Sequence, residues 1–229
     1  MLKRAFDVLA SAVGLIVLSP LFLAIAVWIK LDSRGPVFYR GWRAGRGGKP
    51  FRIVKFRSMV TEADRRGGPT TSDDDPRLTP SGRFIRRLKL DELSQLVNVL
   101  LGQMSLVGPR PEVVDKVERY SDDERRVLAV RPGITDWASI WNSDEGAVVA
   151  GAPDPDEAYE KVIRPTKLKL QLDYCRNRSF ATDLKIILFT LIKILRRGFV
   201  PRELEQYPTF EQLRAEVEKS GGRSEGVLQ

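Results

Sequence analysis

Residues 8–28 read VLASAVGLIVLSPLFLAIAVW, a run without a single charge. As a helix it has about the length that crosses a bilayer, for which about 20 residues suffice. Pro20 lies near its midpoint, where proline removes a helix hydrogen bond and clashes with the preceding turn, costing about 3 kcal/mol. Ser19 beside it has a hydroxyl that bonds back to a carbonyl one turn earlier, so the freed backbone groups need not stay unsatisfied in lipid. Lys3 and Arg4 precede the run, and Lys30, Arg34, Arg40 and Arg43 follow it. Basic flanks on both sides favour a cytoplasmic location for both ends. A helix broken at Ser19-Pro20 that enters and leaves through one leaflet meets that condition; a straight span with a tolerated proline is the alternative. A cleaved signal peptide fits less well, because more apolar sequence follows Pro20 instead of a small-residue cleavage site.

The totals limit the chemistry. The 229 residues carry a net charge of +8 with 42% hydrophobic positions, which points to a polyanionic partner: nucleic acid, anionic lipid or a phosphorylated substrate. Cys175 is the only cysteine and histidine is absent, so intramolecular disulfides, cysteine-rich zinc sites and histidine-based triads are excluded. Acid–base or metal chemistry must fall to carboxylates, with lysine and arginine as electrostatic partners.

Beyond residue 34 the pattern predicts a hairpin, with strands at 37–39 and 51–54 around the turn 44–48. Gly48-Lys49 is no phosphate loop, since Arg43 stands where the first glycine is required and Pro50 where Ser or Thr must follow. Lys55-Phe56-Arg57 reads as a strand with an exposed basic face. The loop 61–77 contains Asp73-Asp74-Asp75, an acidic run expected to be solvated. Thr79-Pro80 opens a helix, as N-cap and first-turn proline. Leu93, Leu96, Val97 and Leu100 then form an apolar stripe, which makes Asp91-Glu92 the opening of a second helix. Two readings suit that acidic pair. It caps the helix and complements its dipole, or Asp91 is an exposed anion with a pKa near 4, able to attack phosphorus or hold a divalent cation. Prolines on both sides of Arg110 restrict its backbone, and a fixed guanidinium suits phosphate. Arg131-Pro132-Gly133-Ile134-Thr135 repeats that theme.

Several of these blocks together resemble one family. Lys3-Arg4…Asp7, Ser19-Pro20, Gly35-Pro36-Val37-Phe38, Lys55-Phe56-Arg57-Ser58-Met59 and Arg77-Leu78-Thr79 occur in order. Leu90-Asp91-Glu92-Leu93, Asn98-Val99-Leu100, Met104 through Pro111 and Arg131 through Thr135 follow. The set is similar to the bacterial sugar transferases, monotopic phosphoglycosyl transferases acting on undecaprenyl phosphate, from the N-terminus to about Leu195. The resemblance implies that Asp91 attacks the β-phosphate of a UDP-sugar and expels UMP, and that the lipid phosphate then attacks the phosphosugar-enzyme. It places Mg2+ at Asp91 and Glu92, and leaves Glu92 as metal ligand or proton acceptor. It assigns Arg86 to phosphate binding and makes Ser19 and Pro20 the break of a re-entrant helix; Lys55, Arg57, Arg110 and Arg131 join Arg86 as candidates for substrate and phosphate binding through their charge and setting. Ser94, Asp136 and Ser139 depart from the family pattern, the last two near the expected nucleotide-sugar pocket.

Farther on, Trp137 and Trp141 share a helical face, Tyr159–Arg176 reads as a charged helix, and Asp183–Arg197 as an amphipathic helix too short to span. The expected protein is α+β and mainly helical: a re-entrant helix over 1–34, a catalytic domain over 35–200 with interfacial helices, and a polar tail over 201–229 with one weak helix. The expected location is the cytoplasmic face of a bacterial inner membrane, in contact with its lipids, in exopolysaccharide, capsule or lipopolysaccharide assembly. A homodimer is compatible with the tail. A membrane-anchored scaffold without catalysis is the rival reading; a nucleic-acid partner is not expected, since no recognition motif accompanies the charge.

Overall fold

A computed structural model describes residues 1–68, 70–196 and 198–222. The apolar N-terminal block forms two helices, α1 (Leu2–Val17) and α2 (Ser19–Asp32), which meet at 61°. Ser19 Oγ donates to Ile16 O at 2.7 Å, and Pro20 sits in the first turn of α2, where an amide donor is not needed. Among the described residues no single helix is long and apolar enough to cross a bilayer; only the bent pair together reaches that length and hydropathy.

Both helices are held from one side. Asp7 of α1 is buried and accepts from Ser105 Oγ (2.8 Å) and Leu106 N (3.1 Å), while Lys3 pairs with Asp183 at 2.7 Å. Ile25 and Ile29 of α2 pack with Phe56 and Ile85. Leu9, Ile16, Leu23 and Leu31 stay exposed on the opposite surface. Arg57 closes α2: its guanidinium donates to Ser33 O (2.8 Å), Ser33 Oγ (2.9 Å) and Arg34 O (2.6 Å). Gly35 follows at φ +128°, and a Cβ there would lie 1.8 Å from Arg57 Nη1, so only glycine fits.

The predicted hairpin is two short ladders. β1 (Phe38–Tyr39) pairs antiparallel with β4 (Lys55–Phe56), and β2 (Trp42–Ala44) with β3 (Pro50–Arg52). The first strand was expected to face residues 51–54; its partner lies farther out, because Trp42–Ala44 forms the inner strand around the 45–49 turn. The basic face of Lys55 and Arg57 is not exposed either, since Arg57 is buried against α2 and Lys55 points inward. In the acidic loop, Asp75 is buried rather than solvated, accepting from Arg77 Nη2 at 2.6 Å and from the Arg77 amide at 2.9 Å.

α3 (Pro80–Arg87) starts as predicted, with Thr79 Oγ1 accepting from Gly82 N at 3.0 Å. The second helix is not one element opened by Asp91. Leu90–Gln95 forms a tight 3-10 turn and α4 (Leu96–Leu100) continues it. β5 (Ser105–Val107) then pairs in parallel with β6 (Gly133–Thr135). This ladder explains the two proline-arginine motifs. A Cβ on Gly133 would sit 2.1 Å from Gly108 N, so the backbones of Gly108-Pro109-Arg110 and Arg131-Pro132-Gly133 touch.

Short helices α5 (Val114–Glu118), α6 (Asp122–Arg125), α7 (Trp137–Trp141), α8 (Glu145–Val148) and α9 (Pro155–Ala158) precede a π turn at Tyr159–Ile163. Two long helices, α10 (Arg164–Asn177) and α11 (Phe180–Leu195), and then α12 (Phe210–Gly222) complete the described residues. One core joins Val107, Ile140, Leu170, Tyr174, Ile186 and Leu204. Trp141 belongs to the interior, with Nε1 donating to Pro208 O at 2.8 Å. The C-terminal segment packs back: Leu213 and Val217 are buried against Val148, Val149, Val162 and Ile163. Arg197 and the end of the expected tail, 223–229, lie outside the described residues.

Candidate active site

The site is built where β4 crosses the Leu90–Gln95 turn. Lys89 occupies the left-handed region at φ 57°, which costs a non-glycine residue about 1 kcal/mol and turns the chain sharply between α3 and this segment. Ser94 and Asn98 then fix the turn to the strands. Ser94 Oγ donates to Val54 O at 3.0 Å. Asn98 Oδ1 accepts from Val54 N at 2.8 Å, and its Nδ2 donates to Arg52 O at 2.8 Å. Lys55, the next residue, is thereby set against Glu92.

Glu92 is the anchored member of the acidic pair. Lys55 Nζ lies 3.0 Å from Glu92 Oε1, and Arg110 grips the same carboxylate through both Nη atoms, Nη1 at 2.9 Å from Oε2. Burial opposes its ionisation, yet Arg110 and Lys55 outweigh burial and hold its pKa well below the usual carboxylate range. Arg110 is therefore already forked onto a carboxylate, at the edge of the cavity. Its backbone N–H donates to Asp136 Oδ2 at 3.3 Å, and Asp136, fully buried, also accepts from Ser139 N at 2.7 Å and Gln171 Nε2 at 3.0 Å. The departure from the family pattern at 136 thus supports the arm that holds Glu92.

Asp91 differs from both readings of its sequence. It caps no helix, since the N-cap position is Lys89, and it is not an exposed anion, since it is only 4% exposed. Among the described residues no hydrogen bond reaches its carboxylate. Burial pushes its pKa up, Lys55 opposes that shift, and the neighbouring Glu92 charge reinforces it. The fold thus gives two adjacent carboxyls different environments: Glu92 is held as a fixed charge, and the Asp91 carboxylate accepts no hydrogen bond among the described residues.

Both acids line a cavity of about 1940 Å³. Arg86 and Lys89 line it too and form no ion pair among the described residues. Part of its wall is apolar, from Phe6 and Ala10 of α1 and Leu191 and Ile194 of α11; another part is charged, from Lys116, Arg119 and Arg164. Lys167, whose Nζ lies 2.9 Å from Glu145 Oε1, is a buried pair in the same wall. Sequence reading missed Asn98, Glu145 and Lys167; only Asn98 left a signal, as a polar residue inside an apolar stripe. Two predicted site residues make their hydrogen bonds away from the acidic pair. Arg57 is spent on the end of α2, although it borders the cavity. Arg131 donates from Nε to Gly102 O at 2.9 Å and lines a separate, smaller cavity. Ser19 and Pro20 form the bend and do not line the cavity.

A profile of the bacterial sugar transferases matches residues 1–197. The chain belongs to this family. It is 39% identical over 205 residues to a UDP-N-acetylgalactosamine-undecaprenyl-phosphate N-acetylgalactosaminephosphotransferase of Aeromonas hydrophila, covering 88% of this chain and 45% of that protein. It is 40% identical over 205 residues to a UDP-glucose:undecaprenyl-phosphate glucose-1-phosphate transferase of Escherichia coli (strain K12), covering 87% of this chain and 40% of that protein. This sugar transferase therefore spans less than half the length of those two relatives. Over 214 residues it is 36% identical to the exopolysaccharide production protein ExoY of Rhizobium meliloti, covering 86% of this chain and 88% of that protein.

The donor set bears on magnesium. Among the described residues no three acidic, histidine or cysteine side chains cluster as a self-contained cage. Mg2+ is commonly held by one or two carboxylates and completed by substrate phosphates and water. A buried carboxylate without a hydrogen-bond donor, beside a second acid, suits that mode.

Proposed function

We propose that this sugar transferase moves a sugar 1-phosphate from a UDP-sugar to undecaprenyl phosphate, releasing UMP, through a covalent intermediate on Asp91. The observation that carries the reading is the contrast between a free Asp91 carboxylate facing the cavity and a Glu92 locked between Lys55 and Arg110. The names of its relatives support the class of reaction. In the first step an Asp91 oxygen attacks the β-phosphorus, the bond from that phosphorus to the bridging oxygen breaks, and UMP leaves with the bridging oxygen. In the second, an oxygen of the lipid phosphate attacks the same phosphorus and Asp91 departs as a carboxylate. Arg86 and Lys89, which line the same cavity, offer cations to the phosphates.

Mg2+, held by Asp91 with Glu92 beside it, would neutralise the diphosphate. Lys55 and Arg110 keep Glu92 ionised, so its charge and position persist throughout the cycle. The apolar wall of the cavity suits a polyprenyl chain and the charged wall a nucleotide.

The seat is the cytoplasmic face of the bacterial inner membrane, with α1 and α2 dipping into one leaflet as a re-entrant pair. The exposed apolar residues of α1, α2 and α11 and the 61° bend support this. One substrate is soluble and the other carries its phosphate at the interface, so a site beside that surface can meet both.

The test is UMP release by the purified full chain in nanodiscs with undecaprenyl phosphate, magnesium and a panel of UDP-sugars. Release that requires the lipid, the metal and Asp91 supports the reading and names the sugar. Release unchanged in Asp91→Asn removes the covalent route, and no release with any donor favours a scaffold.

A further inference from the structure

Arg131 looked like a phosphate ligand in the sequence, yet it does not line the main cavity. It lines a second one, of about 260 Å³, whose lining shares no residue with the first. The fold brings Arg46, Arg131 and Arg178 to this small cavity from three distant segments, beside Lys3 and Arg4. The 46–48 turn reaches it because Gly48 lies against Leu128. Arg4 is engaged with Val99 O (2.6 Å) and Leu100 O (3.0 Å), and Lys3 with Asp183. The other three keep donors free. Arg131 uses only Nε, Arg178 only Nη1 (on Cys175 O), and Arg46 makes no side-chain hydrogen bond among the described residues. Among the described residues no acid forms an ion pair with any of the three. Asp7, the acid in the lining, is buried and occupied by Ser105 and Leu106.

Three guanidiniums at one small cavity, whose one acid accepts from Ser105 and Leu106 instead, repel one another and call for an anion, and their forks suit phosphate oxygens. The location narrows the source. Two of the three helices with apolar exposed faces, α1 and α11, begin here. Phe6 of α1 and Phe180 of α11 have ring centroids 5.6 Å apart, and Lys3–Asp183 joins the same two ends. Leu2 and Leu9 on one helix, and Leu184 and Leu188 on the other, are exposed alongside.

We infer that Arg46, Arg131 and Arg178 form a binding site, separate from the catalytic cavity, for the phosphate of an anionic membrane lipid. The inference rests on the membrane seating proposed above. The site would dock the starts of α1 and α11 at the head-group level, so that the main cavity opens at the height of a lipid-borne phosphate.

The test is flotation of the full chain with phosphatidylcholine vesicles, with and without phosphatidylglycerol, and with inorganic phosphate as competitor. The wild type should favour the anionic vesicles, and excess inorganic phosphate should not abolish the preference. Arg46→Gln and Arg178→Gln, both exposed, should each reduce the preference about fivefold, at about 1 kcal/mol per cation near an anionic surface. Arg131→Lys keeps the charge but loses the fork, and should still lose preference. Arg83→Gln, an exposed cation on α3, controls for diffuse charge. If Arg131→Lys behaves as wild type and Arg83→Gln costs as much as Arg46→Gln, attraction is diffuse and the site is overturned. If inorganic phosphate abolishes the preference, the ligand is free phosphate and the lipid assignment falls. Equal binding to both vesicles overturns this inference alone, whereas binding to neither removes the membrane seating beneath it.

Discussion

The Lys55 ammonium stands 3.0 Å from Glu92 Oε1, joining β4 to the turn that carries both acids. That contact makes the neighbours unequal: Glu92 is shared by two cations, and Asp91 feels Lys55 only through space.

Asp91→Asn is expected to reduce UMP release by at least about 10³-fold, since the covalent nucleophile is gone. The same change should leave the melting temperature equal or higher. Burial raises the Asp91 pKa, so its contribution to stability is fully present below about pH 4 and lost as pH rises through the folded value. At neutral pH asparagine avoids burying that charge. Thermal unfolding beside the activity assay checks both halves.

The acid limb of the pH–rate profile should lie above the ordinary aspartate value of 3.8, because Asp91 must ionise to attack. Lys55 opposes the upward shift, so Lys55→Met should move the limb to higher pH. A limb that stays in place would detach it from Asp91.

Glu92→Ala should cost about 1–3 kcal/mol of stability, since it leaves two half-buried cations without their shared carboxylate. The depressed Glu92 pKa contributes stability present above about pH 4.5 and lost as pH falls toward the folded value. The deficit of Glu92→Gln against wild type should therefore narrow in acid. Chemical denaturation at pH 7 and in acid measures it.

Replacing Ser19 and Pro20 together by Ala and Leu removes the Ser19–Ile16 bond and permits a continuous helix. Cysteine labelling near residue 2 should report a cytoplasmic N-terminus in the wild type and a partly periplasmic one in the variant. Identical labelling would show that the bend does not control topology.

Leu213→Ala should destabilise the protein by about 2–4 kcal/mol, because Leu213 is buried against Val148, Val149 and Ile163. A polar tail free of the body would show no change under denaturation.

Much of the site was legible because its parts are short and chemically marked. Asp91-Glu92, Arg86 and Lys55 could be picked out, and Thr79 was readable as a cap because capping is local. The strand pairing was not: β1 and β4 meet across fifteen intervening residues, and nothing within either strand states its partner. The partners of three arginines were likewise not legible in their local sequence. Arg57 ends a helix, Arg110 grips Glu92, and Arg131 lies in another cavity, each choice made by a residue far along the chain.

The sequence by itself determined the apolar block broken at Ser19-Pro20, the absence of histidine and disulfide chemistry, and the family. These depend on composition, order and spacing, which folding leaves unchanged. Only the tertiary structure decided that Asp91 is buried and unencumbered while Glu92 is neutralised by two cations. Burial and charge pairing depend on distance in space, and adjacent carboxyls alike in sequence acquire different ionisation only when the fold sets Lys55 and Arg110 beside one of them.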